Sequence, residues 1–414
     1  MKNGLLLSLA CFALLFTSTS FAQSNEVKKK AAEQDDPIGF AIQWLLGRQE
    51  NYTPDSPVGT LPDAKLAPWQ KGEKQRLKKV FEAAGGKGAE WPYEGVYRIG
   101  RKGMIPPGYR VGGTALVCTF LLEAPGFKTD QKRQEAVRRA IDFMLKELKT
   151  NKKLEGGPQR GYDVRGWAHT FALDFFLRAN QQKIVKTSKR SGQVKKMIKD
   201  LLKRLETNEA RDGGWNYTGG RSSSFMTGPT LLALYRAKAN GFKVNKGLVK
   251  RALTALANGR VENGAFAYSG KARKGTKMGA SAARSHVAEL ALLLAGKSEP
   301  ERMVVAMNGF FKHWDDLLVR KGKQRTHLPP YNIAPYYFYF GHRYAALAIE
   351  YVPENERAAM REKLNKLLWK TRSENGSWND RVFPRTSSFS TAMVGLSFLA
   401  QELPKLDQWK KKKL

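Results

Sequence analysis

The sequence predicts an all-helical chain assembled from about six copies of one helix-pair unit. Three observations carry this. A composite pattern recurs every 50 to 58 residues or so along the chain. Within each copy, apolar residues return at the three- and four-residue spacing of a helix face. The two helical halves of each copy also differ in how completely apolar they are.

The clearest copy runs from the amphipathic segment Met197 to Leu205, through Asp212-Gly213-Gly214-Trp215-Asn216-Tyr217, to a small-polar start at Ser222 to Thr227 and an apolar stretch at Leu231 to Ala237. The last copy repeats that order with Leu364 to Trp369, Asn375-Gly376-Ser377-Trp378, Ser387 to Thr391 and Val394 to Leu399. Three further copies pair Ala136–Leu148 with Trp167–Arg178, Val249–Leu256 with His286–Ala295, and residues 303–318 with Tyr344–Tyr351. The first copy joins Ile38–Leu46 to Val111–Leu122 across an insertion at 51–108, which carries the Gly85-Gly86-Lys87-Gly88 stretch and, in Trp91 and Tyr93, two residues able to dock it. The first helix of each unit alternates apolar residues with Lys and Arg, as an outer helix with one wet face must. The second is apolar nearly all round, which suits an inner position packed on several sides.

Residues 1–22 read as a cleaved secretory signal, with Lys2 ahead of an apolar run from Leu5 to Phe16 and a small-residue site at Ser20-Phe21-Ala22. A secreted or periplasmic protein is therefore expected, with a flexible segment at 23–37, the repeat domain over 38–403 and a basic tail at 404–414. That apolar run is shorter than the roughly 20 residues a bilayer needs, so no transmembrane anchor is expected. Cys118 alone remains after cleavage, which excludes an internal disulfide. Against 37 acidic residues stand 72 Lys and Arg, a formal charge of +35. Such a field favours an anionic polysaccharide, lipid head groups or an envelope polymer; no recognition motif accompanies it, so no specific nucleic-acid partner is expected.

At Asp212-Gly213-Gly214-Trp215 and Asn375-Gly376-Ser377-Trp378 the sequence resembles the aromatic-loop repeats of squalene cyclases and protein prenyltransferase β subunits, and Gly166 to Leu173 and Met226 to Leu234 look like inner-helix starts of exported bacterial members of that superfamily. The resemblance covers residues 110–400. It implies an α/α toroid, with the six inner helices closed into a ring around a ligand-binding cavity. The cyclases' Asp-x-Asp-Asp acid has no counterpart, because Asp35-Asp36 and Asp315-Asp316 do not fit it. Cys118 lacks the Asp-x-Cys setting of the prenyltransferase zinc site, and the thioester signature of complement-type toroids is missing as well. No metal or cofactor is expected.

In such a ring the inner-helix starts converge on one mouth. Three of the five histidines, His169, His286 and His342, fall at these starts, where a helix dipole keeps imidazole neutral and suited to act as a base. Trp215, Tyr217, Thr227, Ser285 and Thr391 line the same level and are the candidate ligand contacts; helix capping is the ordinary explanation of the hydroxyls. Asn332, Tyr336, Tyr337, His342 and Arg343 form the densest polar-aromatic cluster, supplying the residue types with which a polysaccharide lyase neutralises a uronate carboxylate and removes the adjacent proton. A lyase, or a degenerate isoprenoid-processing enzyme, is thus the alternative to a binding protein. Asp163 with Arg165, and Asp380 with Arg381, read as surface ion pairs in loops.

Overall fold

The computed structural model describes residues 36–52, 87–95, 104–157, 163–185, 187–217, 220–273, 275–323, 327, 329–332, 337–381 and 383–409. The expected leader, the basic runs at Lys28 to Lys30 and Lys410 to Lys413, and most of the 51–108 insertion lie outside them.

Among the described residues, six helices form an outer set: α1 (Pro37–Leu46), α3 (Gln131–Thr150), α5 (Ser188–Thr207), α7 (Lys246–Gly259), α10 (Pro300–Lys312) and α13 (Glu354–Lys370). Six more form an inner set: α2 (Pro107–Glu123), α4 (Arg165–Gln181), α6 (Ser224–Ala239), α9 (Ser285–Leu293), α12 (Tyr337–Ile349) and α14 (Thr386–Phe398). Two short helices, α8 (Met278–Ser281) and α11 (Trp314–Leu318), sit in connections. Among the described residues there is no strand, only isolated bridges such as that between Glu50 and Glu90.

The two sets differ as their sequences require. On α3 the buried positions are Arg133, Ala136, Val137, Ala140, Ile141, Met144 and Leu148, a single stripe at helical spacing. Four outer helices are capped at the start by side chains: Asp36, Asp130, Thr187 and Asn245 each accept from a free first-turn amide. Inner helix α2 buries every residue from Pro107 to Leu122 except Arg110.

Each inner helix touches the next, and α14 returns to touch α2, so the inner ring is closed. Every inner helix also backs onto the outer helix that follows it in the chain, and α14, which has none, backs onto α1. The N-terminal helix thus completes the last repeat. Close approach at this seam depends on Gly395, where a Cβ would stand 2.3 Å from the Phe120 ring of α2.

A buried clasp fixes the seam. Glu50 and Glu90 exchange backbone hydrogen bonds of 3.0 Å each. Their side chains then diverge: Glu50 accepts from Arg385, at the start of α14, through Nε at 2.7 Å and Nη2 at 2.8 Å, while Glu90 accepts from Arg110 of α2 at 2.9 and 2.7 Å. Glu50 and Arg385 are 1% and 4% exposed. Burial pushes the Glu50 carboxyl up to about 7, against the pull of Arg385. Removing one partner of a buried pair strands the other charge, so at pH 8 Glu50→Gln or Arg385→Gln is expected to cost about 3–5 kcal/mol in urea titration, and Glu50→Leu with Arg385→Met less than either. Single-variant losses under about 1 kcal/mol would contradict the clasp.

Candidate functional site

Three tryptophans make one repeated staple. Trp215 donates its indole N–H to the Leu205 carbonyl in the last turn of α5 at 2.8 Å, and its backbone N–H to Thr227 Oγ1 at 3.0 Å. Trp378 repeats this with Leu368 (2.9 Å) and Thr391 (3.1 Å), and Trp91 with Leu45 (2.8 Å) and Thr114 (2.9 Å). The indole satisfies a carbonyl that the helix end leaves free, and the hydroxyl locks the loop onto the next inner helix. Thr227 Oγ1 also donates back to the Trp215 carbonyl at 3.1 Å. Gly214 is indispensable here, with φ of +75° and a Thr227 side chain 2.7 Å from where its Cβ would lie.

Helix capping therefore does not explain the polar inner-helix starts. None of α2, α4, α6, α9 and α14 has a side-chain cap. Their hydroxyls serve loops and neighbours instead: Ser285 bonds Ser281 at 2.8 Å, and Ser281 accepts from the Phe266 amide at 3.2 Å. The Tyr217 hydroxyl bonds that of Tyr268.

The histidines point between the helix layers; His286 and His342 share an aromatic neighbour, while His169 makes its own contacts. His169 donates from Nε2 to the Leu154 carbonyl at 2.7 Å, which leaves Nδ1 to accept from Asn208 Nδ2 at 3.3 Å. His342 has the other tautomer, Nδ1 donating to the Phe338 carbonyl at 2.7 Å and Nε2 accepting from Trp314 at 2.8 Å. His286 meets Phe310 edge-on at 5.4 Å, and the same ring faces His342 at 5.2 Å. All three are fully buried. Burial pushes His169 and His286 down to about 3 and His342 to about 4.

His342 lies in mid-helix rather than at a start. The aromatic stretch from Tyr337 is the first turn of α12, because packing on every side lets it continue as helix. Asn332 is exposed, with φ of +54°, whereas His342 faces Trp314 and Arg343 donates to the Leu396 carbonyl at 2.8 Å. These three do not share a surface; Tyr336 lies outside the described residues. The loop pairs are not on the surface either. Asp163 is 2% exposed and grips Arg165 at 2.6 Å, and Asp380 is fully buried. No cluster of three potential metal ligands occurs among the described residues.

The middle of the ring is filled at the inner-helix starts. Tyr93, from the end of the insertion, lies 5.1 Å from Tyr109, 5.3 Å from Trp167 and 4.7 Å from Phe389, while Phe225 meets Tyr337 at 4.2 Å and Phe340 at 4.3 Å. Further along the inner helices, among the described residues, lies a void of about 40 Å³.

A much larger space, about 1090 Å³, opens on the rim between the second and third repeats. His169 and Trp215 form part of its wall. Its acids are engaged: Asp212 accepts from the Ser222 amide at 2.7 Å, and Glu209 pairs with Arg251 at 2.6 Å. Arg165, also in the wall, is neutralised by Asp163. Arg211, Arg221 and Lys271 line the same cleft, are exposed, and make no ion pair with a described residue. Charge alone marks these three in the sequence, and 72 Lys and Arg offer no way to single them out.

No family model matches the sequence, and no curated protein matches it. Solved structures do. The type II terpene cyclase MstE from Scytonema, in complex with geranylgeranyl dihydroxybenzoate, aligns over 91% of this chain and 99% of its own at 14% identity and a TM-score of 0.49. An unsaturated glucuronyl hydrolase from Bacillus sp. GL1 aligns over 82% and 96% at 13% identity and 0.48, and the GH76A α-1,6-mannanase from Salegentibacter sp. HEL1_6 over 69% and 88% at 11% and 0.44. This chain is an α/α toroid. At these identities the likeness concerns fold alone.

Two outcomes are expected. Thr227→Val removes the staple hydroxyl and leaves the Trp215 amide without its acceptor, lowering stability by about 1–3 kcal/mol; a thermal melt unchanged from the parent would remove the staple from the account. The buried histidines are neutral in the folded chain but gain protons near pH 6.5 when it unfolds, so their contribution to stability is lost as pH falls from 6.5. His286→Gln should therefore improve relative to the parent by about 1.4 kcal/mol per pH unit between pH 6.5 and 4 in denaturant titrations. A stability difference independent of pH would mean that His286 is charged in the fold.

Proposed function

We propose that this is an exported binding protein that holds a segment of acidic polysaccharide in the rim cleft. The observation that carries the reading is the trio Arg211, Arg221 and Lys271, exposed around a cleft whose acids are already engaged. Trp215 and His169, both buried behind the cleft, hold its shape rigid. Binding is favoured over catalysis because His169, the candidate base at this cleft, is buried with both ring nitrogens hydrogen-bonded. The overall charge of +35 draws an anionic polymer toward the surface, and the cleft gives it one place to settle.

The test is calorimetric titration of the mature protein with oligogalacturonate and with a neutral mannan of equal length. Oligogalacturonate should bind and the mannan should not, with affinity falling as salt screens the charges. Replacing Arg211, Arg221 and Lys271 together with Gln should weaken binding about tenfold or more, since three charge contacts of about 0.5–1 kcal/mol each are lost. Equal binding of the neutral polymer, or an unaffected triple variant, would overturn the reading. Unsaturated product appearing on incubation would restore the lyase.

A further inference from the structure

Below the aromatic layer the inner ring carries a second, charged layer that the rim cleft does not use. Asp174 of α4 accepts from Arg178 Nε at 2.9 Å and from Arg236 Nε of α6 at 2.8 Å. Glu123, at the end of α2, accepts from Arg178 Nη1 at 2.6 Å. Arg343 of α12 lines the same space, but its hydrogen bond goes to a backbone carbonyl, that of Leu396, and it makes no ion pair with a described residue. Three guanidinium groups thus face two carboxylates. Asp407 in the C-terminal segment acts on Arg236 but is not part of the wall.

Asp174, Arg178, Arg236 and Arg343 line a central void of about 40 Å³, and Glu123, like Asp407, acts from outside its wall. Leu406 contributes to its wall from the C-terminal segment, which is held by the bond from its own amide to Tyr351 Oη at 2.6 Å and by Trp409 donating to the Leu294 carbonyl at 2.9 Å. Burial, and then the nearby Arg178, push Arg343 down to about 10. A buried cation without a counter-charge costs several kcal/mol. A water needs about 10–15 Å³ of such space, so the void takes roughly three waters or one small ion.

We propose that the void is an anion site, in which a monovalent anion the size of chloride or formate is held by Arg343 while Arg178 and Arg236 supply the surrounding positive field. Asp174 and Glu123 are already committed to Arg178 and Arg236. Of the carboxylates, Asp174 alone stands in the wall among the described residues, and Arg343 is the one guanidinium there whose hydrogen bond goes to no carboxylate, so an anion in the void would face Arg343. The proposal does not depend on the rim cleft.

The experiment is a thermal melt at constant ionic strength in which sodium chloride, or formate, replaces sodium gluconate, whose anion is too large for the void. The melting temperature should rise with chloride by a few degrees and saturate, as stabilisation by a ligand of the folded state does. Arg343→Gln should abolish that dependence, while the Arg211, Arg221 and Lys271 triple variant keeps it. If Arg343→Gln does not fold, crystals of the parent grown in bromide decide: an anomalous peak within hydrogen-bonding reach of Arg343, together with the chloride effect on melting, supports the site. No chloride dependence in the parent overturns it. So does a dependence unchanged in Arg343→Gln, and a bromide peak without any effect on melting marks an adventitious ion only.

Discussion

A ring of helices is stable only if its first and last units meet as well as any other pair, and here that demand falls on residues 335 positions apart. Ordinary repeats put an inner helix against the outer helix next in sequence. The last inner helix has no such successor, so α1 takes the place, and the chain must run from there to α2 without opening the seam. The Glu50 and Glu90 backbone bridge solves this by tying the end of α1 to the end of the insertion, with Arg385 and Arg110 securing it on either side. Buried pairs of this kind contribute little net stability but penalise every misalignment. They suit a seam whose register nothing local can set.

Within each repeat the constraint is different. An outer helix ends in carbonyls without partners, and a loop must turn sharply to reach the next inner helix. One tryptophan meets both needs, its indole closing the helix end and its backbone bonded to a threonine on the inner helix. Trp91, Trp215 and Trp378 do this in repeats that otherwise share little sequence. Thr227 and Thr391 have the polar, mouth-facing placement of ligand contacts, yet both hydroxyls work on the backbone of the loop. Trp215 also stands behind the wall of the rim cleft, almost wholly buried.

The chain's cations fall into two classes by what surrounds them. Some are spent inside the fold, as at Arg165, Arg178 and Arg385, each fixed by a carboxylate within 2.7 Å. Others are exposed with no ion pair to a described residue, as Arg211, Arg221 and Lys271 are around the rim cleft. Arg343 belongs to neither class, being buried in the core and facing a void instead of an acid.

Periodicity and character by themselves determined the six outer and six inner helices, because a face-by-face pattern of apolar residues reports how many sides of a helix are covered, and that is a local property. The Asp-Gly-Gly-Trp loop was equally legible, since positive φ needs glycine and a helix end needs a donor. The destination of each polar side chain was decided by the tertiary structure alone. His342 and Arg343 are neighbours in sequence, but on a helix they point about 100° apart, so one reaches the outer layer at Trp314 and the other the central void. Asp163 and Asp380 looked like surface loop residues until neighbouring elements covered them. The rim cleft is built from the start of α4, the end of α5 and the loop after it, with Gly157 from the connection before α4 and Lys271 from the one after α7, and no single segment carries its pattern because its shape exists only once those repeats have packed together.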